Sequence, residues 1–199
     1  MLLTSFQEIL TEAGCDEAGR GCYAGPVFAA AVILPRDFNH PLLNDSKQVK
    51  EEDRYMLRTV IEQNAVAWAV ASVSERIIDK INILQASWKA MHLAVKQLAP
   101  LPGLLLVDGN RFKTYRGIPH HCIIKGDASY TSIAAASILA KTHRDDYMKT
   151  LHEKYPHYCW NQNKGYGTAA HREAIGQYGL SRYHRKSFRI YEEDPELAD

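Results

Sequence analysis

The first apolar run of the chain ends at Gly14-Cys15-Asp16 and reads as a strand that stops at the glycine-rich stretch Glu17-Ala18-Gly19-Arg20-Gly21. Pro26 to Leu34, PVFAAAVIL, is apolar throughout. A strand covered on both faces must be so, and the run therefore predicts a strand inside the sheet. The turn-rich segment from Pro35 to Lys50 ends it. Tyr55, Leu57, Val60 and Ile61 then recur at helical spacing within Glu51 to Gln63, and Ala65 to Val73 follows as a strand. A helical stretch begins at Ser74, breaks near Asn82 and is stopped by Pro100 and Pro102. Leu104 to Val107 and His120 to Ile124 are short strands, which run into Asp108 and Lys125-Gly126-Asp127. From Tyr130 to Tyr155 the spacing predicts one long helix whose small, apolar first half packs on the sheet. Pro156 to Lys164 reads as a loop and Thr168 to Tyr178 as a short helix. Trp68 and Trp88 read as core residues.

Strands interleave with helices, so the fold class expected is α/β, a sheet flanked by helices. The 199 residues carry 46% hydrophobic and 24% charged side chains and show no repeat or long linker. That suits a single domain, residues 1–199, in which residues from about 156 onward form a small helical C-terminal appendage. No window reaches the roughly 18 apolar residues of a membrane span, and the N-terminus lacks the basic start and cleavage site of a signal peptide. A cytoplasmic monomer is expected. Cys15, Cys22, Cys122 and Cys159 form no CxxC pair and are expected as free, buried or half-buried thiols.

Net charge is only +1, but it is unevenly spread. Residues 141–191 hold ten Lys+Arg against four Asp+Glu and nine of the nineteen aromatics, while the acidic tail from Glu192 onward has no motif and fits a frayed end. A basic, aromatic third suits a polyanion with stackable bases or sugars.

The chemistry concentrates at strand ends, which carry Asp16 with Glu17, Asp108, and Asp127. Loops at the ends of an open α/β sheet converge, so these acids can meet. Converging carboxylates repel unless cations compensate, and hard oxygen ligands favour Mg²⁺ or Mn²⁺. Two such ions about 4 Å apart can activate a water and stabilise the leaving oxygen of a phosphodiester. Neighbouring residues on a strand face opposite ways, so a turn at Ala18-Gly19 is expected to re-aim Glu17. The nine histidines show no HExxH or paired spacing.

The stretch Asp16-Glu17-Ala18-Gly19-Arg20-Gly21 resembles the DEAGRG signature of the type II ribonuclease H family. The resemblance continues in order through Ala24-Gly25-Pro26-Val27, Asp45-Ser46-Lys47, Val107-Asp108-Gly109 and Lys125-Gly126-Asp127. It goes on through SIAAASILAK (Ser132 to Lys141), Arg144-Asp145, Asn163 to Thr168 with His171, and His184 to Phe188. Nearly the whole chain is covered. Cys22 and Gly167 stand where the family often has proline.

The resemblance implies a ribonuclease H-like mixed sheet flanked by helices with a helical C-terminal extension. It implies an endoribonuclease that hydrolyses the RNA strand of RNA–DNA hybrids and incises 5′ of ribonucleotides embedded in duplex DNA. Asp16, Glu17 and Asp108 match the acids that bind the divalent ions, and Asp127 matches the fourth active-site carboxylate. Gly19, Arg20 and Gly21 match the loop that reads the RNA-to-DNA junction through backbone groups. Tyr166 matches the tyrosine that packs on the following deoxyribose. Lys47 and Lys164 are the favoured phosphate contacts, with Lys125, Arg144, Arg185 and Lys186 as further ones. Asp145, His171 and His184 are expected to serve structure. The alternatives are another ribonuclease H-like nuclease or a catalytically silent module that binds hybrids.

Overall fold

The computed structural model describes residues 2–190, so the acidic tail lies outside the described residues. Strand β1 (Glu12–Ala18) divides its side chains between two cores: Ala13 and Cys15 enter one, while Gly14, Asp16 and Ala18 face the other. Strand β2 (Val27–Ile33) does the same, sending Ala29 and Ala31 one way and Ala30 and Val32 the other. Its unbroken apolar run is thus explained by cover on both faces.

Strands β3 (Ala67–Val73), β4 (Leu104–Asp108) and β5 (His120–Ile123) complete a sheet in the order β3-β2-β1-β4-β5. The β1–β2 and β2–β3 pairs are antiparallel, and β1–β4 and β4–β5 are parallel. The sheet is therefore mixed, as the resemblance implies. Helix α2 (Glu75–Lys96) covers one face through Ile78, Ala90, Met91 and Ala94. Helix α3 (Thr131–Lys154) covers the other, with α1 (Glu51–Asn64) packed beside it through Leu57 and Ile61. No helix among the described residues is long and apolar enough to cross a membrane.

Two local features shape the helices on the sheet. Helix α2 breaks at Asn82 (φ 63°, ψ 167°), whose Oδ1 accepts from the Gln85 N–H at 3.1 Å and caps the second half. Helix α3 lies directly on β1: a Cβ on Gly14 would sit 2.1 Å from the Ser132 carbonyl carbon. Only glycine there, opposite a run of small helical residues, allows such an approach.

Residues 156–164 are not a loop. They form a 3₁₀ turn, Pro156–Tyr158, followed by the helical turn α4 (Trp160–Asn163), which is bounded by left-handed Cys159 and Lys164. A turn this short has no periodicity to read. Its Trp160 packs with Tyr158, Ala174 and Ile175 against Met148 and Leu151 of α3, bringing in α5 (Ala169–Tyr178). Trp160 is the fully buried indole, whereas Trp68 and Trp88 are only half-buried. Their N–H groups reach the Glu62 carbonyl at 3.2 Å and the Arg111 carbonyl at 3.0 Å, which holds those rings at the rim.

Candidate active site

The parallel register Cys15↔Val107 sets the next residues, Asp16 and Asp108, side by side at the ends of β1 and β4. By strand alternation both lie on the α3 face. Asp16 is only 5% exposed. Burial pushes its carboxyl well above the usual range, and the charges of Glu17 and Asp108 push it further. The Ser137 hydroxyl and the Glu17 N–H, 2.7 Å from Asp16 Oδ1, oppose the shift. Asp108 Oδ1 accepts from the Gly126 N–H at 2.8 Å, tying β4 to the 3₁₀ turn Gly126–Ala128 that carries Asp127. Asp127 is buried, and its carboxyl is raised by that burial and by Asp108 and Asp45.

Glu17 differs from the expectation in its placement. Strand β1 continues through it, pairing Glu17 with Ala29, so the turn begins beyond it and does not re-aim it. Asp16 and Glu17 nevertheless border one groove, because side chains from opposite faces meet around a strand end. The Glu17 carboxyl is raised by burial, against the pull of Arg20, whose guanidinium lies 3.0 Å away.

The same groove is bordered by Gly19, Arg20, Gly21, Lys47 and Tyr166. Lys47 is exposed at the rim and Tyr166 is 42% exposed, so both side chains are accessible to a duplex. Lys164 is placed otherwise: its side chain is buried, its ammonium donates to the Asn161 carbonyl, and it does not border the groove. Ser46, Ser137 and Lys141 do border it and were not singled out in the sequence. The Ser46 and Ser137 hydroxyls are 2.9 Å apart, and Lys141 pairs with Asp145 at 2.7 Å. Their one signal was membership of the matched blocks Asp45-Ser46-Lys47 and SIAAASILAK.

Two expected phosphate contacts are overturned. Arg144 and Arg185 are fully buried and serve backbone carbonyls. Arg144 donates to Pro26, Lys164 and Ala24 at 3.1, 2.8 and 3.1 Å. Arg185 donates to Arg20 at 2.7 Å, Gly19 at 2.6 Å and Gly25 at 3.0 and 2.8 Å. A planar guanidinium carries five donors in a fixed fork, against three on an ammonium, and so can hold several carbonyls at once. Lys125 and Lys186 remain exposed. Replacing Arg144 by Met should orphan three carbonyls, each costing about 1–3 kcal/mol. A denaturant midpoint within error of the parent's would refute that role.

The sequence model of the family described as ribonuclease HII matches residues 13–191. The chain belongs to the ribonuclease HII family. A ribonuclease HII of Bacteroides thetaiotaomicron is 63% identical over 190 residues, covering 96% of this chain and 95% of that protein. The ribonuclease HII of Parabacteroides distasonis is 61% identical over 198 residues, covering all of both chains. Among solved structures, ribonuclease H2 from Pyrococcus horikoshii superposes with a TM-score of 0.72 at 25% identity, covering 90% of this chain and 94% of that one. Like other ribonucleases HII, the chain is thus a hydrolase, an endoribonuclease acting on RNA–DNA hybrids.

The acids fit the divalent ions that ribonuclease HII chemistry implies. Four carboxylates supply hard oxygen donors, and the upward shifts of Asp16, Glu17 and Asp127 mark sites where added positive charge is favourable. Among the described residues no three His, Cys, Asp or Glu side chains close into a ready-made cage. Mg²⁺ does not need one, since it binds through one or two carboxylates together with waters and substrate phosphates.

Proposed function

We propose that this ribonuclease HII incises 5′ of ribonucleotides embedded in duplex DNA as well as cutting hybrids, by divalent-metal-dependent in-line hydrolysis that leaves 5′-phosphate and 3′-hydroxyl ends. The observation that carries this reading is the pair Asp16 and Asp108 at the parallel β1–β4 edge, with the Gly19-Arg20-Gly21 loop and Tyr166 bordering the same groove. Asp16, Glu17 and Asp108 hold the ions and Asp127 completes the site. When bound, a pair of Mg²⁺ or Mn²⁺ ions supplies the charge that activates a water and stabilises the leaving oxygen.

The loop's orientation suits reading a sugar. In a trans peptide the C=O and N–H point opposite ways. With the Gly19 and Arg20 carbonyls turned in to Arg185, the N–H groups of Arg20 and Gly21 face away from it. They are then available to a 2′-hydroxyl, the group that separates RNA from DNA. Tyr166 offers a flat face to the next sugar, which accommodates a deoxyribose better than a ribose. Lys47 positions phosphate, and Lys164 would do so only after its ammonium left Asn161. The reading keeps a single catalytic domain with residues 156–199 as its appendage, acting as a monomer in the cytoplasm. The four free cysteines suit that reducing compartment.

The Asp108→Asn variant tests the assignment. Cleavage of a DNA duplex bearing one ribonucleotide should be abolished while binding, followed by fluorescence anisotropy, stays within about threefold, under 1 kcal/mol. Undiminished cleavage would remove Asp108 from the site.

A further inference from the structure

Behind Tyr166 lies a buried polar cluster that neither the acids nor the glycine loop uses. His171 and His184 are 0% and 1% exposed, with their Nε2 atoms 3.2 Å apart. The Trp160 indole N–H points at His171 Nε2 at 3.0 Å, and His171 Nδ1 lies 2.9 Å from the Tyr166 carbonyl. On the far side, the Ser181 N–H reaches His184 Nδ1 at 2.9 Å.

Proton placement follows from what each group can do. An indole N–H only donates, so His171 Nε2 must accept. A neutral imidazole that accepts at Nε2 carries its proton on Nδ1, and that N–H has the Tyr166 carbonyl as its acceptor. The Ser181 N–H likewise makes His184 Nδ1 an acceptor, leaving His184 Nε2–H to donate to His171. Burial lowers the proton affinity of both rings, and with the neighbouring His171 it brings His184 down to about 4, so the neutral forms hold at neutral pH.

The Tyr166 carbonyl also accepts from the Thr168 N–H at 2.8 Å, and the Tyr166 N–H donates to the Asn163 carbonyl at 2.9 Å. The Thr168 hydroxyl accepts from the His171 N–H at 3.3 Å, capping α5. The backbone of Tyr166 is thereby held between α4 and α5 while its ring remains exposed at the groove.

We infer that His171 is a positioning residue for substrate selection: held in one tautomer by Trp160 and His184, it fixes the Tyr166 backbone and so the ring against the sugar beside the ribonucleotide. This rests on the reading of Tyr166 given under the proposed function. The consequence is specific. Loss of the bond should blunt the preference for a single embedded ribonucleotide over a continuous hybrid and raise KM, with kcat on the hybrid little changed.

The test combines spectroscopy on the parent protein with three variants. In ¹⁵N NMR of labelled histidine, His171 should show a protonated Nδ1 and a bare Nε2 at neutral pH; a protonated Nε2 would overturn the inference. His171→Asn keeps an N–H near the Nδ1 position, whereas His171→Gln places its amide near Nε2 and drops the bond to Tyr166. The ratio of single-ribonucleotide to hybrid cleavage should fall about tenfold in the Gln variant, as the loss of one buried hydrogen bond allows, and stay within about twofold in the Asn variant. Equal ratios in parent and folded Gln variant would overturn it; if that variant does not fold, the tautomer decides. Tyr166→Ala separates the two levels. A ratio unchanged there removes the reading of Tyr166 and the inference with it. A ratio lowered there but not in His171→Gln removes the inference alone.

Discussion

Replacing Asp16 by Asn is expected to lower cleavage by about a thousandfold or more and, at the same time, to raise the melting temperature of the metal-free protein. The first effect follows from the proposed role of Asp16 as an ion ligand, since metal assistance is worth several kcal/mol and each 1.36 kcal/mol is tenfold in rate. The second follows from burial. The Asp16 carboxyl is raised because ionising it in the folded state means desolvating a charge beside Glu17 and Asp108.

The sign is fixed by linkage. A carboxyl raised in the folded state holds its proton there while the unfolded chain has already lost it. The parent's stability therefore falls as pH climbs from the unfolded value through the folded one. Asn carries no such charge, so the variant should gain most at neutral and higher pH and little near pH 3. Added Mg²⁺ should stabilise the parent by binding the folded form and should do so less for the variant. Thermal melts at several pH values, with and without Mg²⁺, check this. A variant that melts below the parent in chelator at neutral pH would contradict the account of a strained, cation-seeking site.

Gly14→Ala is expected to be the most damaging single-methyl change in the sheet. The added Cβ would lie 2.1 Å from the Ser132 carbonyl carbon and 2.4 Å from the Ile133 nitrogen. Both are backbone atoms, so no rotamer change relieves the clash and α3 must move off β1. Ordinary overpacking costs about 1–3 kcal/mol, and this contact should reach or pass the upper end. For a chain of this size that is a fall of roughly 10 °C in melting temperature. Activity should fall with it, because α3 brings Ser137 to Asp16 and Lys141 to the groove. Gly176→Ala is the control: it meets nothing within 4 Å inside α5 and should be neutral or gain up to about 1 kcal/mol. A Gly14→Ala melt matching the parent's would show that the β1–α3 contact is looser than described.

Much of this architecture was legible in the sequence because it rests on patterns of burial. The PVFAAAVIL run reads as a doubly covered strand, and the small residues of SIAAASILA read as a helix lying on the sheet. The acids at strand ends were visible too, although their convergence needed the β1–β4 register, which no local pattern encodes. The family motifs supplied the substrate.

The two arginine misses share a physical cause. Arg144 and Arg185 carry charges, and a charge in a sequence suggests surface; their burial depends on backbone carbonyls brought together from 120 and up to 166 residues away. Lys164 turned inward for a local reason, its ammonium folding back on the Asn161 carbonyl three residues earlier. Ser137 looked like any small helical residue until the fold set it against Asp16. Residues 156–164 escaped because two left-handed residues break the segment into turns too short for a period.

The most direct measurement is cleavage of a DNA duplex carrying a single ribonucleotide, with Mg²⁺ or Mn²⁺ supplied or chelated and the product ends mapped. One incision is expected on the 5′ side of the ribonucleotide, with 3′-hydroxyl and 5′-phosphate ends and no product in chelator. An intact duplex under conditions in which a continuous RNA–DNA hybrid is cut, or cleavage that persists in chelator, would contradict it.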